Sequence, residues 1–155
     1  MDAGIEQLAM EHMLLTRHSS ALARRREENG LERSAYVLLS RLEAQGPMST
    51  AELADAFLLD TSTIHRQMTA LLRSGLVERI AGPDGRPVRR FRMTAKGAEA
   101  LVAHRSRLQE LVAALVEDWP TDDVEQFRTL LRRFNEAIER RQERPWPRQA
   151  RPPQD

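Results

Sequence analysis

Apolar residues recur at three- and four-residue spacing through both ends of this chain, and a different rhythm interrupts them in the middle. Ile5, Leu8, His12, Leu15, Ser19 and Leu22 trace one coiled-coil-like seam with polar interruptions, which predicts a long helix over residues 3–28. Asn29 and Gly30 end it. Leu31–Gln45 reads as a second helix, with Tyr36, Val37, Leu39 and Leu42 as its core residues, and Gly46-Pro47 breaks it. Towards the other end, Leu101, Leu108 and Leu115 are spaced by seven, with Val102, Leu111 and Val112 filling the stripe of a helix from Ala95 to about Asp118. Pro120 stops that helix, and Thr121-Asp122-Asp123 reads as the cap of a last one carrying Val124, Phe127, Leu130, Leu131, Phe134 and Ile138. Residues 144–155, rich in Pro, Arg and Gln, show no periodicity and read as a disordered tail that includes Trp146.

Between these helices, residues 49–94 change rhythm twice. Ser49 with Glu52 three positions later has capping-box spacing and opens a short helix, Ala51–Phe57, that offers Leu53, Ala54 and Phe57 to a core. Asp60 reads as the cap of a further helix with Thr61, Ser62 and Thr63 in its first turn, and Gly75 closes it as a C′ glycine. Strand alternation follows in Leu76–Ile80 and resumes in Arg89–Met93, across the turn-forming run Gly82-Pro83-Asp84-Gly85. A helix–turn–helix followed by a β-hairpin is a winged helix. The expected class is therefore mostly α with a small β-hairpin wing.

The Thr61–Ser74 helix has two chemically distinct sides. At about 100° per residue, Ile64, Met68 and Leu71 share one face. Ser62, Arg66, Thr69 and Arg73 share the opposite one, with His65 at its border. A face of hydroxyls and arginines without acids suits a DNA major groove: hydroxyls bond phosphates, and a guanidinium pairs with guanine through two hydrogen bonds. Arg66 is the residue expected to read a base, and Thr69 and Arg73 to meet phosphates. The same face on a non-binding protein would be an ordinary solvated surface.

The ordered set Glu52, Leu53, Ala54, Asp60, Ser62, Thr63, Arg66, Leu71, Gly75, Leu76, Arg79, Asp84, Arg86, Thr94 and Gly97 resembles the DNA-binding segment of the MarR (multiple antibiotic resistance regulator) family. The flanking helices extend the resemblance to about residues 5–143. Two departures stand out. Phe57-Leu58-Leu59 replaces the more usual Leu-Gly-Val, so the turn lacks its glycine, and Asp84-Gly85-Arg86 lies one residue early with Pro87 in the usual arginine place. The resemblance implies that Arg86 enters the minor groove beside the site with Asp84 bracing it. Separately, the alternation of Arg89, Arg90 and Arg92 makes Arg90 and Arg92 the outward pair expected to face phosphates. The resemblance also implies a division into an N-terminal dimerisation helix (1–30), a DNA-binding lobe (31–94), C-terminal helices of the dimerisation bundle (95–143) and the tail (144–155). A homodimer would set two such helices about one DNA turn apart on a pseudo-palindromic operator in double-stranded DNA.

Charge sharpens this picture where composition alone does not. The formal net charge is only +1. Residues 60–92, however, hold seven arginines against three acids, whereas residues 121–143 hold five arginines against six acids. The chain has no cysteine, which excludes disulfides, thiolate metal sites and cysteine redox sensing. No apolar run approaches the roughly 20 residues of a membrane span, and the N-terminus lacks signal-peptide character, so a cytoplasmic location is expected.

The remaining candidates concern small molecules. The resemblance implies a small aromatic or phenolic effector, with His12, Arg17 and Tyr36 as lining residues. His12, His18 and His104 read as histidines packed at helix interfaces, so no metal and no cofactor is expected. No Gly-rich phosphate loop, nucleophile elbow or carboxylate pair suggests an enzyme. The leading expectation is a dimeric, sequence-specific DNA-binding transcriptional repressor released by a ligand. The competing one is a winged-helix protein-interaction module without sequence-specific DNA binding.

Overall fold

The computed structural model describes residues 3–26, 30–81, 84 and 89–148. Six helices appear: α1 (Ala3–Arg26), α2 (Arg33–Gln45), α3 (Thr50–Phe57), α4 (Thr61–Arg73), α5 (Ala95–Leu115) and α6 (Thr121–Gln142). Three strands accompany them: β1 (Met48–Ser49), β2 (Val77–Ile80) and β3 (Arg90–Met93). The sheet runs β1-β3-β2, antiparallel throughout, with Val77 opposite Met93 and Met48 opposite Phe91. The hairpin was legible in the alternation. Strand β1 was not, because two residues carry no period.

One core holds α2, α3, α4 and the sheet together. Helix α2 buries Ala35, Leu38, Leu39 and Leu42, the i, i+3, i+4, i+7 stripe. This corrects the expectation that Tyr36 and Val37 were core: both are only half-buried, because they lie off the stripe, with Tyr36 packed against its edge. Helix α3 adds Leu53 and Ala54; α4 adds Ile64, Met68 and Leu71, as its periodicity required. Met48, Val77 and Phe91 close the core from the sheet, and Leu101 of α5 reaches it from the far side.

Caps settle where each short helix begins and ends. Ser49 Oγ accepts from the Glu52 N–H at 3.1 Å while Glu52 Oε2 accepts from the Ser49 N–H at 2.7 Å, so the expected capping box is formed. Asp60 stands at the N-cap of α4, but its side chain makes no capping bond. Likewise the N-cap of α6 is Pro120, with Thr121, Asp122 and Asp123 inside the first turn, where the two acids favour the positive end of the helix dipole. Helix α4 closes in a Schellman turn. Leu76 N–H bonds Leu71 O, Gly75 N–H bonds Leu72 O, both at 3.0 Å, and Gly75 takes the left-handed conformation (φ 69°).

At the end of α3 the missing glycine has a visible consequence. Leu58 itself adopts the left-handed conformation (φ 53°) so that Leu59 N–H can bond Ala54 O at 3.0 Å. A β-carbon there costs roughly 1–2 kcal/mol, and Leu58 is 55% exposed, so little burial offsets it. Leu58→Gly is expected to raise the thermal midpoint by about 1–3 °C once the greater chain entropy of glycine is deducted. A lowered midpoint in calorimetry would show that the Leu58 side chain contributes packing.

The long helices form an arm that this chain leaves largely uncovered. In α5 only Gly97 and Leu101 are buried, and α6 buries no residue. Val102, Val112, Leu115, Phe127, Leu130, Phe134 and Ile138 are exposed, as are Ile5, Leu8, Met10, Met13 and Leu15 of α1. A few ring contacts link these helices. His12 lies 5.6 Å from Phe134, centroid to centroid, and Trp119 lies 5.7 Å from Phe127 in an edge-on arrangement. No helix among the described residues is long and apolar enough to cross a membrane.

Residues 144–148 correct the expectation of a disordered tail. They fold back and bond to α2, α3 and α6, because Trp146, Arg144 and Arg148 meet Arg41 and the helix ends in specific contacts that no periodicity reveals. Residues 149–155 lie outside the described residues.

Candidate nucleic-acid interface

The apolar side of α4 pins the helix to the core, and this leaves the opposite side facing out. Ser62, His65, Arg66 and Arg73 are exposed, and Thr63 and Thr69 are half-buried. Thr69 Oγ1 donates back to the His65 carbonyl at 2.8 Å, a bond within the helix that leaves the oxygen's acceptor capacity unused. Arg66 makes a single long contact, to Thr63 Oγ1 at 3.5 Å. Among the described residues, neither Arg66 nor Arg73 is held in an ion pair with a carboxylate. Guanidinium groups left unpaired on a water-facing helix keep their full hydrogen-bonding capacity for an outside acceptor.

Beside this face opens a groove of about 490 Å³ lined by Ser49, Thr50, Ala51, Thr61, Ser62, His65 and Arg89. Two helices, α3 and α4, begin in it. The Glu52 N–H is taken by Ser49 Oγ and the Thr63 N–H by the Asp60 carbonyl, the earlier N–H groups of each first turn have no partner inside the helix, and both dipoles present their positive ends there. The Arg89 guanidinium adds a full charge. Together these groups suit an oxygen anion of phosphate type.

The carboxyl end of α4 is held by groups from outside the helix. Thr94 Oγ1 donates to the Gly75 carbonyl at 2.7 Å, and Lys96 Nζ donates to the Ser74 carbonyl at 2.8 Å. A cation on the last carbonyls complements the negative end of the dipole. Thr94 also caps α5 by accepting from the Gly97 N–H at 3.1 Å. Lys96, the chain's sole lysine, was missed by sequence reasoning as a positioning residue, since nothing local shows it reaching back to residue 74.

The wing departs from expectation in its arginines. Arg90 does not stand free for phosphate: it pairs with Glu52 at 2.7 Å and donates to the Pro47 carbonyl at 3.2 Å. Arg92 pairs with the cross-strand Glu78 at 2.6 Å. The alternation of Arg89, Arg90 and Arg92 had suggested the reverse assignment, with Arg90 and Arg92 outward. Strand β1 is the reason: it places Ser49 opposite Arg90 and so brings the capping-box glutamate within reach, while Arg89 is left in the groove. Asp84 is exposed in the wing turn. Arg86 lies outside the described residues.

The small-molecule candidates are divided between two ring pairs. Tyr36 of α2 stacks on His104 of α5 at 4.5 Å, beside the Arg105–Glu43 ion pair at 2.6 Å that ties the same two helices. The hydrogen bond that Arg105 donates to Glu43 raises the Arg105 pKa further above its already high value, against the opposing effect of burial. His12, in contrast, lies against Phe134, and Arg17 is exposed on α1. The described contacts therefore do not bring His12, Arg17 and Tyr36 together as one cluster.

Comparison with known proteins agrees with the geometry. A MarR family model matches residues 31–86, which include α2, α3, α4 and β2 and stop short of β3. An uncharacterized HTH-type transcriptional regulator of Bacillus subtilis (strain 168), YxaD, is 38% identical over 108 residues, covering 70% of this chain and 76% of that protein. Among solved structures, a MarR family protein from Bacillus stearothermophilus superposes with a TM-score of 0.71 at 22% identity, covering 89% of this chain and 98% of that one. A crystal structure of MarR superposes with the same TM-score at 27% identity, covering 92% of this chain and 98% of the other. With a helix–turn–helix, a wing and an acid-free outer face on α4, the chain belongs to the MarR family of DNA-binding, winged helix-turn-helix transcriptional regulators.

Proposed function

We propose that the chain works as a homodimer that reads a pseudo-palindromic operator in double-stranded DNA and represses transcription by occupying it. The observation that carries this reading is the exposed, carboxylate-free face of α4, with Ser62, Thr63, His65, Arg66, Thr69 and Arg73 beside the groove that holds Arg89. In this arrangement α4 lies in the major groove with Arg66 on a base edge. The paired helix starts and Arg89 take a backbone phosphate, and the wing, with Asp84 and Arg86, lies along the neighbouring minor groove. Arg90 serves by bracing the wing against α3.

The dimer is supported by the uncovered apolar faces of α1, α5 and α6. Their exposed leucines, valines and phenylalanines repeat along three helices, the kind of apolar surface that marks a partner site. Residues 1–30 and 95–143 would supply the shared bundle and residues 31–94 the reading lobe. A small aromatic or phenolic effector would act at the seam between lobe and arm, where Tyr36 of α2 meets His104 of α5. There it would alter the separation of the two lobes and so weaken operator binding.

Binding to a duplex selected from random-sequence DNA by the intact chain tests the reading. Several phosphate contacts imply that the logarithm of affinity falls steeply with the logarithm of salt, by about 0.9 per phosphate neutralised. A shallow slope, or equal affinity for the selected duplex and its scrambled version, would favour a protein-interaction module on the same scaffold.

A further inference from the structure

The segment after α6 carries the sequence Arg144-Pro145-Trp146-Pro147-Arg148, and every charged or aromatic member of it is engaged. Glu143 takes a left-handed turn (φ 54°) that reverses the chain, and Arg144 N–H bonds Glu139 O at 3.1 Å. Arg144 then clasps the end of α3: Nε donates to the Asp55 carbonyl at 3.1 Å, and a terminal nitrogen donates to Asp55 Oδ1 at 2.6 Å. One guanidinium thus meets a carboxylate and a helix C-terminal carbonyl at once, both favourable for a cation.

Trp146 fills the space between helices. Its ring lies 6.1 Å from that of Phe57 on α3, and the Arg41 guanidinium of α2 stands 5.3 Å above it. Arg41 also donates to the Pro145 carbonyl at 3.3 Å. At the α6 end, Glu139 accepts from the Trp146 N–H at 3.1 Å and from both terminal nitrogens of Arg148. Those Arg148 bonds hold the Glu139 carboxyl below its usual range. Prolines on both sides of Trp146 restrict the backbone and lower the entropy lost on docking.

We infer that residues 144–148 form a clasp that locks the end of α6 to the α2–α3 side of the reading lobe and thereby sets the angle between the helical arm and α4. Helix α6 buries no residue of its own, so the clasp is what presses its last turn to the lobe. Helix α3 passes into α4 through three residues, so a force on Asp55 and Phe57 is transmitted to the reading helix. This inference rests on the dimeric DNA-reading proposal: in a dimer, the arm angle becomes the separation of the two α4 helices, and release of the clasp makes that separation variable.

The test uses the full chain, which has two tryptophans and no cysteine. Trp119→Phe leaves Trp146 as the sole tryptophan, selectively excited at the red edge of the absorption band; a closed clasp gives blue-shifted emission protected from acrylamide. Arg144→Ala with Asp55→Ala should shift the emission to the red and remove the protection, whereas the exchanged pair Arg144→Glu with Asp55→Arg should restore part of both, the bond to the Asp55 carbonyl being lost. Light scattering reports the dimer separately. With a spin label at Ala70→Cys on α4, the intact dimer should give one narrow inter-protomer distance, and Arg144→Ala/Trp146→Ala a broad one. The same variant should bind a selected two-half-site duplex about tenfold more weakly and a single half-site equally well. An unchanged distance distribution, or equal loss on both duplexes, would overturn the clasp's role. Trp146 as accessible in the intact chain as in denaturant would overturn the clasp itself. A monomeric chain would overturn the dimeric reading and the spacing role with it, and Trp146 would still report whether the clasp closes.

Discussion

Replacing Arg66 with alanine is expected to abolish sequence-selective DNA binding while leaving the fold and the dimer intact. The side chain is exposed and makes only a 3.5 Å contact with Thr63, so its loss should change stability by less than about 0.5 kcal/mol. Its loss from a base edge is different. A bidentate guanidinium–guanine pair contributes roughly 1–3 kcal/mol of discrimination, and a dimer loses it twice, so affinity should fall on the order of a hundredfold or more. Fluorescence polarisation with the selected and the scrambled duplex measures this directly. The expected result is that affinity for the selected duplex drops to that for the scrambled one, with an unchanged melting temperature. A variant that protects the same bases as the intact chain would remove Arg66 from the reading face. Arg66→Lys should recover phosphate attraction without selectivity, since an ammonium has no planar fork.

The largest expected stability effect sits at Gly97, far from any base. A β-carbon there would lie 2.1 Å from the Leu76 carbonyl oxygen and 2.8 Å from Met93 Cγ. The methionine could move. The carbonyl cannot move freely, because it accepts from the Thr94 N–H at 3.1 Å and belongs to the turn that closes α4. Gly97→Ala is therefore expected to cost about 3 kcal/mol, near the upper end for inserting one carbon into a packed site. For a chain of this size that corresponds to a fall of roughly 10 °C in the unfolding midpoint. Calorimetry gives the number, and a fall under 2 °C would mean that α5 can slide away from β2 without penalty. The same displacement would carry Thr94 and Lys96 away from the last carbonyls of α4, so DNA binding should weaken even at temperatures where the variant remains folded.

These two positions show different kinds of legibility. Arg66 could be placed from the sequence because a helix imposes a fixed angle per residue: once Ile64, Met68 and Leu71 face the core, Arg66 has to face water. Gly97 was legible only as a recurring position in a resemblance. Its reason, the approach of α5 to the Leu76 carbonyl, spans 21 residues of sequence and appears only when the chain is folded. Arg90 was misread for a related reason. Alternation tells which strand residues share a face, but not what stands opposite that face, and here a second, two-residue strand stands there with Glu52 behind it.

The tail teaches the same lesson with opposite sign. Composition marked residues 144–155 as unable to build a core, and that is true of them as an isolated segment. It could not show that α2 and α3 already present Arg41, Asp55 and Phe57 as a seat for Trp146 and Arg144.

Local rules by themselves determined the helices, the hairpin, the capping box at Ser49 and Glu52, and the two-faced character of α4. The helices, the cap and each strand's alternation depend on residues within about four positions of one another, where backbone geometry is nearly invariant. Only the tertiary structure decided which arginines are free and which are paired. It also decided how the end of α4 is held by Lys96 and Thr94, and where the last residues of the chain go. Those outcomes are set by side chains meeting across loops, and the distance between such groups in space bears no fixed relation to their distance along the chain.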